Sequence, residues 1–332
     1  MVTTTSGRLS ICRHHSKSQD GSYGLDTTVT LEINGTKQRV RLCGARSGLP
    51  PVLIVQAGPG VPLLNESAKF QQLLQLEQSF SVAYWDQRGC GQAALQDAQN
   101  LSLETQINDL CAVVRWLAEE IQQQVVVLGI SLGATIALQA AAREASNIKA
   151  LVAASIDADT SASDTAAYSF MQEASTQADK RKIARLIKKL GAPPYSTPTP
   201  FQLRARILAD LGCIEHGKRF GELLRSLLYS LIRTYGWFGA VAALRNMNAI
   251  QRKLLPELAK VNLFANWPRL AIPVHYIFGG GDPLVPCSMV QRVSDVIADS
   301  DTVVTLPDAG HMVHFDKPAI VRSIIAQAHS TP

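Results

Sequence analysis

The strongest constraint on the fold is a serine between two glycines, the pentapeptide Gly-Ile-Ser-Leu-Gly at residues 129–133. A β-branched run at 124–127 precedes it, and an alanine-rich stretch at 134–142 follows it. The first pattern predicts a buried strand and the second a tightly packed helix, so Ser131 is expected at a strand-to-helix turn. Both glycines lack a Cβ, which lets strand and helix approach closely while the serine adopts a strained backbone. The sequence therefore predicts a nucleophile elbow.

Strand and helix patterns alternate on both sides of this turn. Buried apolar runs are predicted as strands at 51–55, 80–85, 148–156, 274–278 and 302–306, with helical patterns between them. Asn34-Gly35, between two alternating runs, predicts a hairpin with a type I′ turn. This order of elements predicts an α/β fold with a mostly parallel central sheet and helices on both faces.

The pattern changes between residues 157 and 268, where the sequence shows helical periodicity and no convincing strand. We call this stretch the helical insertion and predict that it covers the site as a lid. The α/β core is predicted to comprise residues 26–156 and 269–332, and residues 1–25 are predicted to be a disordered leader.

Composition excludes several classes of protein. The net charge of +5 is too small to indicate nucleic-acid binding. The six cysteines are scattered without C-x-x-C spacing, which predicts free thiols, a cytoplasmic location and no metal site. No phosphate-binding glycine loop opens a helix, so no cofactor is predicted. No signal peptide or transmembrane segment is predicted either.

A serine nucleophile needs a base, and the base needs an acid to orient it. In this type of sheet both follow the serine, acid first, from loops at the carboxyl ends of strands. Asp282 follows the strand at 274–278 and His311 follows the strand at 302–306. The predicted triad is therefore Ser131, Asp282 and His311.

Other residues compete for these roles. His314 is an alternative base with Asp308 as its acid, although His311 directly follows the small residues that permit the loop. Asp157, at the end of the strand after the elbow, is the alternative acid. For the oxyanion hole the amide of Leu132 is predicted as one donor, and the amide of Gly58 as the other, with Ala57 next.

Two loops carry a resemblance to a known family. Gln-Ala-Gly-Pro-Gly at 56–60 resembles the His-Gly-Gly-Pro-Gly loop of proline iminopeptidase-like α/β hydrolases, and residues 86–91 resemble their Asp-Gln-Arg-Gly-x-Gly segment. With the elbow, Gly281-Asp282 and Gly310-His311, the resemblance spans residues 52 to 325 outside the helical insertion. It implies the α/β-hydrolase fold and a serine hydrolase of the S33 peptidase type.

The departures from this family bear on the substrate. Gln56 and Ala57 replace the usual histidine and glycine, and the aromatic Trp-x-x-Trp-Glu segment of true proline aminopeptidases is absent. The substrate pocket is predicted to include Gln56, Ile130, Trp237 and Phe238. The helical insertion carries 16 lysines and arginines against 9 acids. This excess indicates either a solvated basic face or contact with an anionic substrate, carrier protein or membrane surface.

We therefore predict a serine hydrolase that cleaves an ester, lactone, thioester or amide through an acyl-enzyme on Ser131. The alternative is a biosynthetic acyltransferase, cyclase or thioesterase that uses the same acyl-enzyme, with an acidic carrier protein as its partner. A proline iminopeptidase proper and a non-catalytic binding protein on this scaffold are less favoured. The predicted ligand is a small acyl substrate, with no nucleic acid.

Overall fold

The computed structural model describes residues 14–15, 24–91, 100–176 and 181–330. Nine strands form one sheet: β1 (His14–His15), β2 (Leu25–Ile33), β3 (Thr36–Gly44), β4 (Pro51–Val55), β5 (Ser81–Asp86), β6 (Val125–Ile130), β7 (Ile148–Ala154), β8 (Val274–Gly279) and β9 (Thr302–Leu306). Their spatial order is β1-β2-β3-β5-β4-β6-β7-β8-β9. The six strands from β4 to β9 are parallel to one another, and β1, β2 and β3 extend the sheet in antiparallel pairs. The predicted mostly parallel sheet is confirmed.

Ten α-helices lie in the described residues: α1 (Ser67–Leu74), α2 (Leu103–Ile121), α3 (Leu132–Ala141), α4 (Thr160–Thr176), α5 (Arg181–Leu190), α6 (Pro198–Asp210), α7 (Phe220–Leu258), α8 (Cys287–Ser294), α9 (Val313–Asp316) and α10 (Pro318–Ser330). Apolar side chains of α2, α3 and α8 pack on one face of the sheet. Those of α1, α9 and α10 pack on the other.

The central strand β6 explains why the sheet is covered on both faces. Val125 and Val127 belong to the cluster with α2 and α3, whereas Val126, Leu128 and Ile130 belong to the cluster with α10. All five are fully buried because successive side chains of a strand point to opposite faces. A continuous β-branched run fits a strand with an apolar layer on each side.

The hairpin between β2 and β3 has the predicted turn. Asn34 and Gly35 adopt φ values of 47° and 76°, the two positive values that a type I′ turn requires. The predicted disordered leader is wrong where the structure describes it, because His14 and His15 pair with Thr28 and Thr27. The remaining leader residues up to 23 lie outside the described residues.

Between β7 and β8 the described residues form the helices α4 to α7 and a short 3-10 helix, Leu263–Asn266. By length and composition, α7 is the one helix of the described chain that could cross a membrane. It is not one straight helix, however, since Gly236 has a non-helical backbone (φ 69°, ψ 174°) and divides it in two. The absence of a transmembrane segment therefore stays a prediction.

Candidate active site

Ser131 lies at the turn between β6 and α3, with φ 53° and ψ −121°. A non-glycine residue in this region is strained, and the strain projects the hydroxyl away from the sheet edge. Close backbone contacts require glycine at the two positions that flank this serine, 129 and 133. A Cβ on Gly133 would lie 2.2 Å from the Val55 carbonyl oxygen, and one on Gly129 would lie 2.6 Å from the Cα of Ala134.

The predicted acid and base converge on this serine. His311 Nε2 lies 2.8 Å from Ser131 Oγ, and His311 Nδ1 lies 2.7 Å from Asp282 Oδ2. The other carboxylate oxygen of Asp282 accepts a hydrogen bond from the Leu284 amide at 2.9 Å. His311 and Asp282 are 6% and 4% exposed, so little water competes for these contacts. The three residues come from three loops at the carboxyl edge of the sheet, where their positions after strands predict them.

The loop that carries His311 is held by the helical insertion. The His311 and Met312 amides donate to the Cys213 and Ile214 carbonyl oxygens, at 2.8 and 2.7 Å. A Cβ on Gly310 would lie 2.4 Å from the Cys213 oxygen, so only glycine permits this approach. The backbone after α6 therefore holds the loop that positions the imidazole beside the serine.

Asp316 joins the same two parts of the chain. Its carboxylate accepts from the Gly310 amide at 2.8 Å and from the His216 amide at 2.9 and 3.0 Å. One carboxylate thus bridges the His311 loop and the helical insertion. Sequence reasoning missed Asp316, because nothing in its local pattern distinguishes it from an ordinary residue of a short helix.

Asp157, the alternative acid, sits in the same cavity but contacts other groups. Thr160 Oγ1 donates to its Oδ2 at 2.8 Å, and Ser163 Oγ donates to its Oδ1 at 3.0 Å. Burial raises the pKa of this carboxyl above its ordinary value, with the two hydroxyls partly opposing the effect. Its hydrogen bonds therefore tie the start of α4 to the sheet edge, while the imidazole contact belongs to Asp282.

His314, the alternative base, is fully buried and does not line the cavity that contains Ser131. Its ring stacks on Phe70 with centroids 5.2 Å apart, and neither ring nitrogen has a hydrogen-bond partner among the described residues. Burial lowers the pKa of this imidazole well below its ordinary value, so the ring is neutral. The alternative pair is wrong, since His314 contacts aromatic rings and not Asp308.

Two backbone amides near Ser131 match the predicted oxyanion donors. Leu132 and Gly58 both line the cavity, and no hydrogen bond from either amide to another described residue is found. The Ala57 amide donates instead to the side-chain oxygen of Gln56 at 2.9 Å. Gln56 thus braces this loop, and of the two predicted loop donors Gly58 is the one whose amide remains available.

A cavity of about 360 Å³ opens beside Ser131 and His311. Its wall is mostly apolar and is shared by the two parts of the chain. The helical insertion contributes Phe201, Ala205, Ala209, Ile214, Phe220, Leu223, Leu227, Leu255 and Leu258, and the core contributes Val61, Leu284, Val285, Met312 and Phe315. An apolar cavity of this size suits a small organic ligand.

Four charged residues at the cavity form ion pairs, whereas Glu66 and Asp157 form none among the described residues. Arg204 forms a buried ion pair with Asp164, and burial lowers the pKa of its guanidinium to about 10. Glu215 contacts the ammonium groups of both Lys69 and Lys218. These pairings leave the apolar wall as the dominant feature that a ligand would meet.

The predicted pocket residues are only partly correct. Gln56 lines the cavity, but Ile130 lies in the core between sheet and helices and does not. Trp237 and Phe238 are wrong as pocket residues, since they face solvent with 66% and 89% exposure. They directly follow the break in α7 at Gly236.

The comparisons with known proteins agree with this geometry. A protein-family model described as the alpha/beta hydrolase fold matches residues 50–318, most of the chain. The chain belongs to the α/β-hydrolase family. This α/β hydrolase is 24% identical over 302 residues to the probable aminopeptidase YbaC of Bacillus subtilis (strain 168), covering 90% of this chain and 94% of that protein.

Solved structures share the fold at lower identity. A proline iminopeptidase-related protein of Thermus thermophilus aligns with a TM-score of 0.58 and 17% identity, covering 97% of each chain. An esterase of Exiguobacterium antarcticum aligns with the same TM-score and identity, covering 90% of this chain and 97% of that one. Together these findings establish a hydrolase of the α/β-hydrolase family.

Proposed function

We propose that this α/β hydrolase is a serine hydrolase whose preferred substrate is a carboxylic ester with an apolar acyl group. The observation that carries the proposal is the Asp282–His311–Ser131 hydrogen-bond chain, with contacts of 2.7 and 2.8 Å, at the edge of an apolar cavity. The strained backbone of Ser131 supports it, because such strain is typical of a nucleophile at this turn.

The proposed reaction follows from the contacts. The Nδ1–H group of His311 donates a hydrogen bond to Asp282. Nε2 therefore carries no proton and can accept the proton of Ser131. Ser131 Oγ attacks the ester carbon, the proton passes to Nε2, and the amides of Leu132 and Gly58 stabilise the oxyanion. His311 then protonates the leaving alcohol as the carbon–oxygen bond breaks. Water, deprotonated by His311, attacks the acyl-enzyme. His311 then returns that proton to Ser131 Oγ as the bond between Oγ and the acyl carbon breaks, and the free acid is released.

An ester is preferred over a peptide with a free amine because the cavity wall is mostly apolar. An aminopeptidase needs an uncompensated carboxylate to hold the substrate's ammonium group. Glu215 lines the cavity, but Lys69 and Lys218 already contact its two oxygens. Glu66 and Asp157 also line it and form no ion pair in the described residues, so they are the two carboxylates that an ammonium group could use. Aminopeptidase activity, which the name of the Bacillus subtilis relative suggests, is therefore the second candidate.

A fluorophosphonate probe tests the serine mechanism. We expect one covalent adduct by intact mass on the wild-type chain and none on Ser131→Ala or His311→Ala. Ser163→Ala, which changes a buried serine of the same cavity, serves as the control and should still be labelled. Ser131→Ala should lower kcat by a factor on the order of 10⁶. A wild-type chain without an adduct, or an adduct that persists in Ser131→Ala, would contradict the proposal.

Substrate panels then separate the candidates. p-Nitrophenyl butyrate should be hydrolysed in preference to proline p-nitroanilide, and the reverse order would favour the aminopeptidase. Product analysis with an added amine or alcohol distinguishes hydrolysis from acyl transfer, because a hydrolase releases the free acid.

A further inference from the structure

The solvent-facing side of α7 carries an unusual set of exposed side chains. We define the outer face of α7 as the following exposed residues: Leu224, Arg225, Tyr229, Ile232, Arg233, Trp237, Phe238, Val241 and Arg245. Phe238 is 89% exposed, and Tyr229 and Trp237 are each 66% exposed. A contiguous exposed apolar patch of this kind marks a contact site.

Helical spacing arranges the residues before Gly236 in two neighbouring rows. Before the break at Gly236, Leu224, Leu228 and Ile232 follow one another at intervals of four, and Arg225, Tyr229 and Arg233 form a parallel row. Residues four apart lie above one another on a helix. An apolar row thus runs beside a row of two arginines and a tyrosine.

The charge of the outer face has a single sign. Between Leu224 and Arg245 the sequence contains three arginines and no acidic residue. In the described part of the chain none of these arginines forms an ion pair. The face therefore presents uncompensated positive charge around Trp237 and Phe238, and an anionic surface would complement it.

Buried side chains anchor α7 on the core. Tyr235 Oη donates to Asp86 Oδ2 at 2.7 Å, and Asn246 Nδ2 donates to the Gly91 carbonyl oxygen at 3.1 Å. These buried contacts hold both halves of α7 on the protein while the aromatic side chains project outward. The arrangement suits a helix that lies on a bilayer rather than one that crosses it.

We propose that the outer face of α7 binds the surface of an anionic lipid bilayer. Tryptophan, tyrosine and arginine suit this boundary, because their apolar parts enter the acyl region while their polar parts stay at the headgroups. Basic residues add attraction to anionic lipids. A second copy of the chain fits less well, because a two-fold contact would set this positive face against itself.

The outer face is continuous with the cavity. Leu224 is exposed and also lines the cavity, and Leu223 and Leu227 on the same helix line it too. A bilayer bound at the outer face would therefore lie next to the cavity wall. The inference concerns binding alone and holds independently of the proposed reaction.

Vesicle sedimentation tests the inference on the full chain. We expect the wild type to sediment with phosphatidylglycerol-containing vesicles and not with pure phosphatidylcholine vesicles. The double variant Trp237→Ser/Phe238→Ser should bind anionic vesicles at least about tenfold more weakly. Its matched control is Val296→Ser/Ile320→Ser, which removes two exposed apolar side chains from the loop after α8 and from α10, and it should bind like the wild type.

Charge reversal is the second arm. Arg225→Glu/Arg233→Glu should abolish the preference for anionic vesicles. Arg46→Glu/Arg269→Glu makes the same change in net charge at two solvent-exposed positions of the α/β core. This variant should preserve the preference for anionic vesicles. Circular dichroism should show that all variants remain folded, as expected for exposed positions.

Several results would overturn the inference. These are a wild type that does not bind anionic vesicles, equal losses in the control variants, or a dimer by light scattering that the Trp237→Ser/Phe238→Ser change dissociates without any vesicle binding. Binding to an acidic carrier protein in place of vesicles would also overturn it. Ser131→Ala should bind vesicles like the wild type, so failure of the proposed reaction is separable from failure of this inference.

Discussion

The two walls of the cavity differ in how closely the backbone constrains them. On the sheet side, a Cβ on Gly133 or on Gly279 would come within 2.2 Å of a carbonyl oxygen. On the helical side, Gly221 and Gly236 of α7 have no atom within 4 Å of the position a Cβ would take. The glycines at the sheet edge thus admit almost no side chain, whereas these two exposed glycines of α7 have open space around them. The exception on the helical side is the backbone at Cys213, which Gly310 approaches as closely as the sheet glycines approach their neighbours.

This difference is consistent with the function that we propose for each wall. Transition-state stabilisation needs donors and acceptors held to within a fraction of an ångström, which close backbone contacts provide. Selection of an acyl group needs only apolar surface of the right volume, which helices can supply in many shapes. We therefore expect changes on the sheet wall to affect kcat or folding and changes on the helical wall to affect substrate preference.

The largest expected effect distinguishes the two carboxylates of the cavity. Asp282→Asn should lower kcat about 10⁴-fold, because an amide favours the wrong imidazole tautomer. Asp157→Asn should lower kcat less than about tenfold, because Asp157 bonds to Thr160 and Ser163. Steady-state kinetics on p-nitrophenyl butyrate measures both. Equal losses in the two variants would show that His311 relies on both acids.

The second prediction compares glycines of the two walls. Gly133→Ala should reduce the free energy of unfolding by roughly 3 kcal/mol or more, since the methyl group would clash with the Val55 oxygen. Gly221→Ala, in a helix with open space around it, should increase it by about 0.5 kcal/mol. Urea denaturation followed by circular dichroism gives both values. A lower free energy of unfolding for Gly221→Ala than for the wild type would contradict this prediction.

The third prediction tests whether the helical wall sets acyl-chain preference. Ala205 lines the cavity from α6, and Ala205→Leu should lower kcat/KM for octanoate esters about tenfold while leaving acetate esters within about twofold. Ala166→Leu on α4, outside the cavity lining, is the matched control. A uniform loss on all chain lengths would assign the effect to the catalytic loops.

The smallest expected effect concerns the buried His314. Its pKa in the folded chain lies below the ordinary value of 6.5, so the unfolded chain binds a proton that the folded chain does not. This histidine therefore lowers the stability as pH falls below about 6.5, by at most about 1.4 kcal/mol per pH unit. His314→Phe should reduce that slope, as measured by urea denaturation between pH 5 and 8. Above pH 7.5 the wild type and the variant should share one slope, and parallel curves throughout would contradict the assignment.

The sequence determined the sheet, the turn at Ser131 and the order of the candidate triad. These are local signals: β-branched runs, paired glycines, and polar residues placed directly after strands. Because the carboxyl ends of parallel strands share one edge, knowing that Asp282 and His311 each follow a strand was enough to expect them near Ser131. A second local signal, the small residues directly before His311, favours His311 over His314.

Tertiary structure alone decided what surrounds these residues. The sequence predicts Trp237 and Phe238 in the pocket, yet both face solvent, and no local pattern encodes that direction. The role of Asp316 was also invisible, since it joins Gly310 and His216, which lie far apart in the chain. Local patterns determine where a strand or turn lies. Which side of a helix faces the solvent depends on packing between segments that are distant in the sequence.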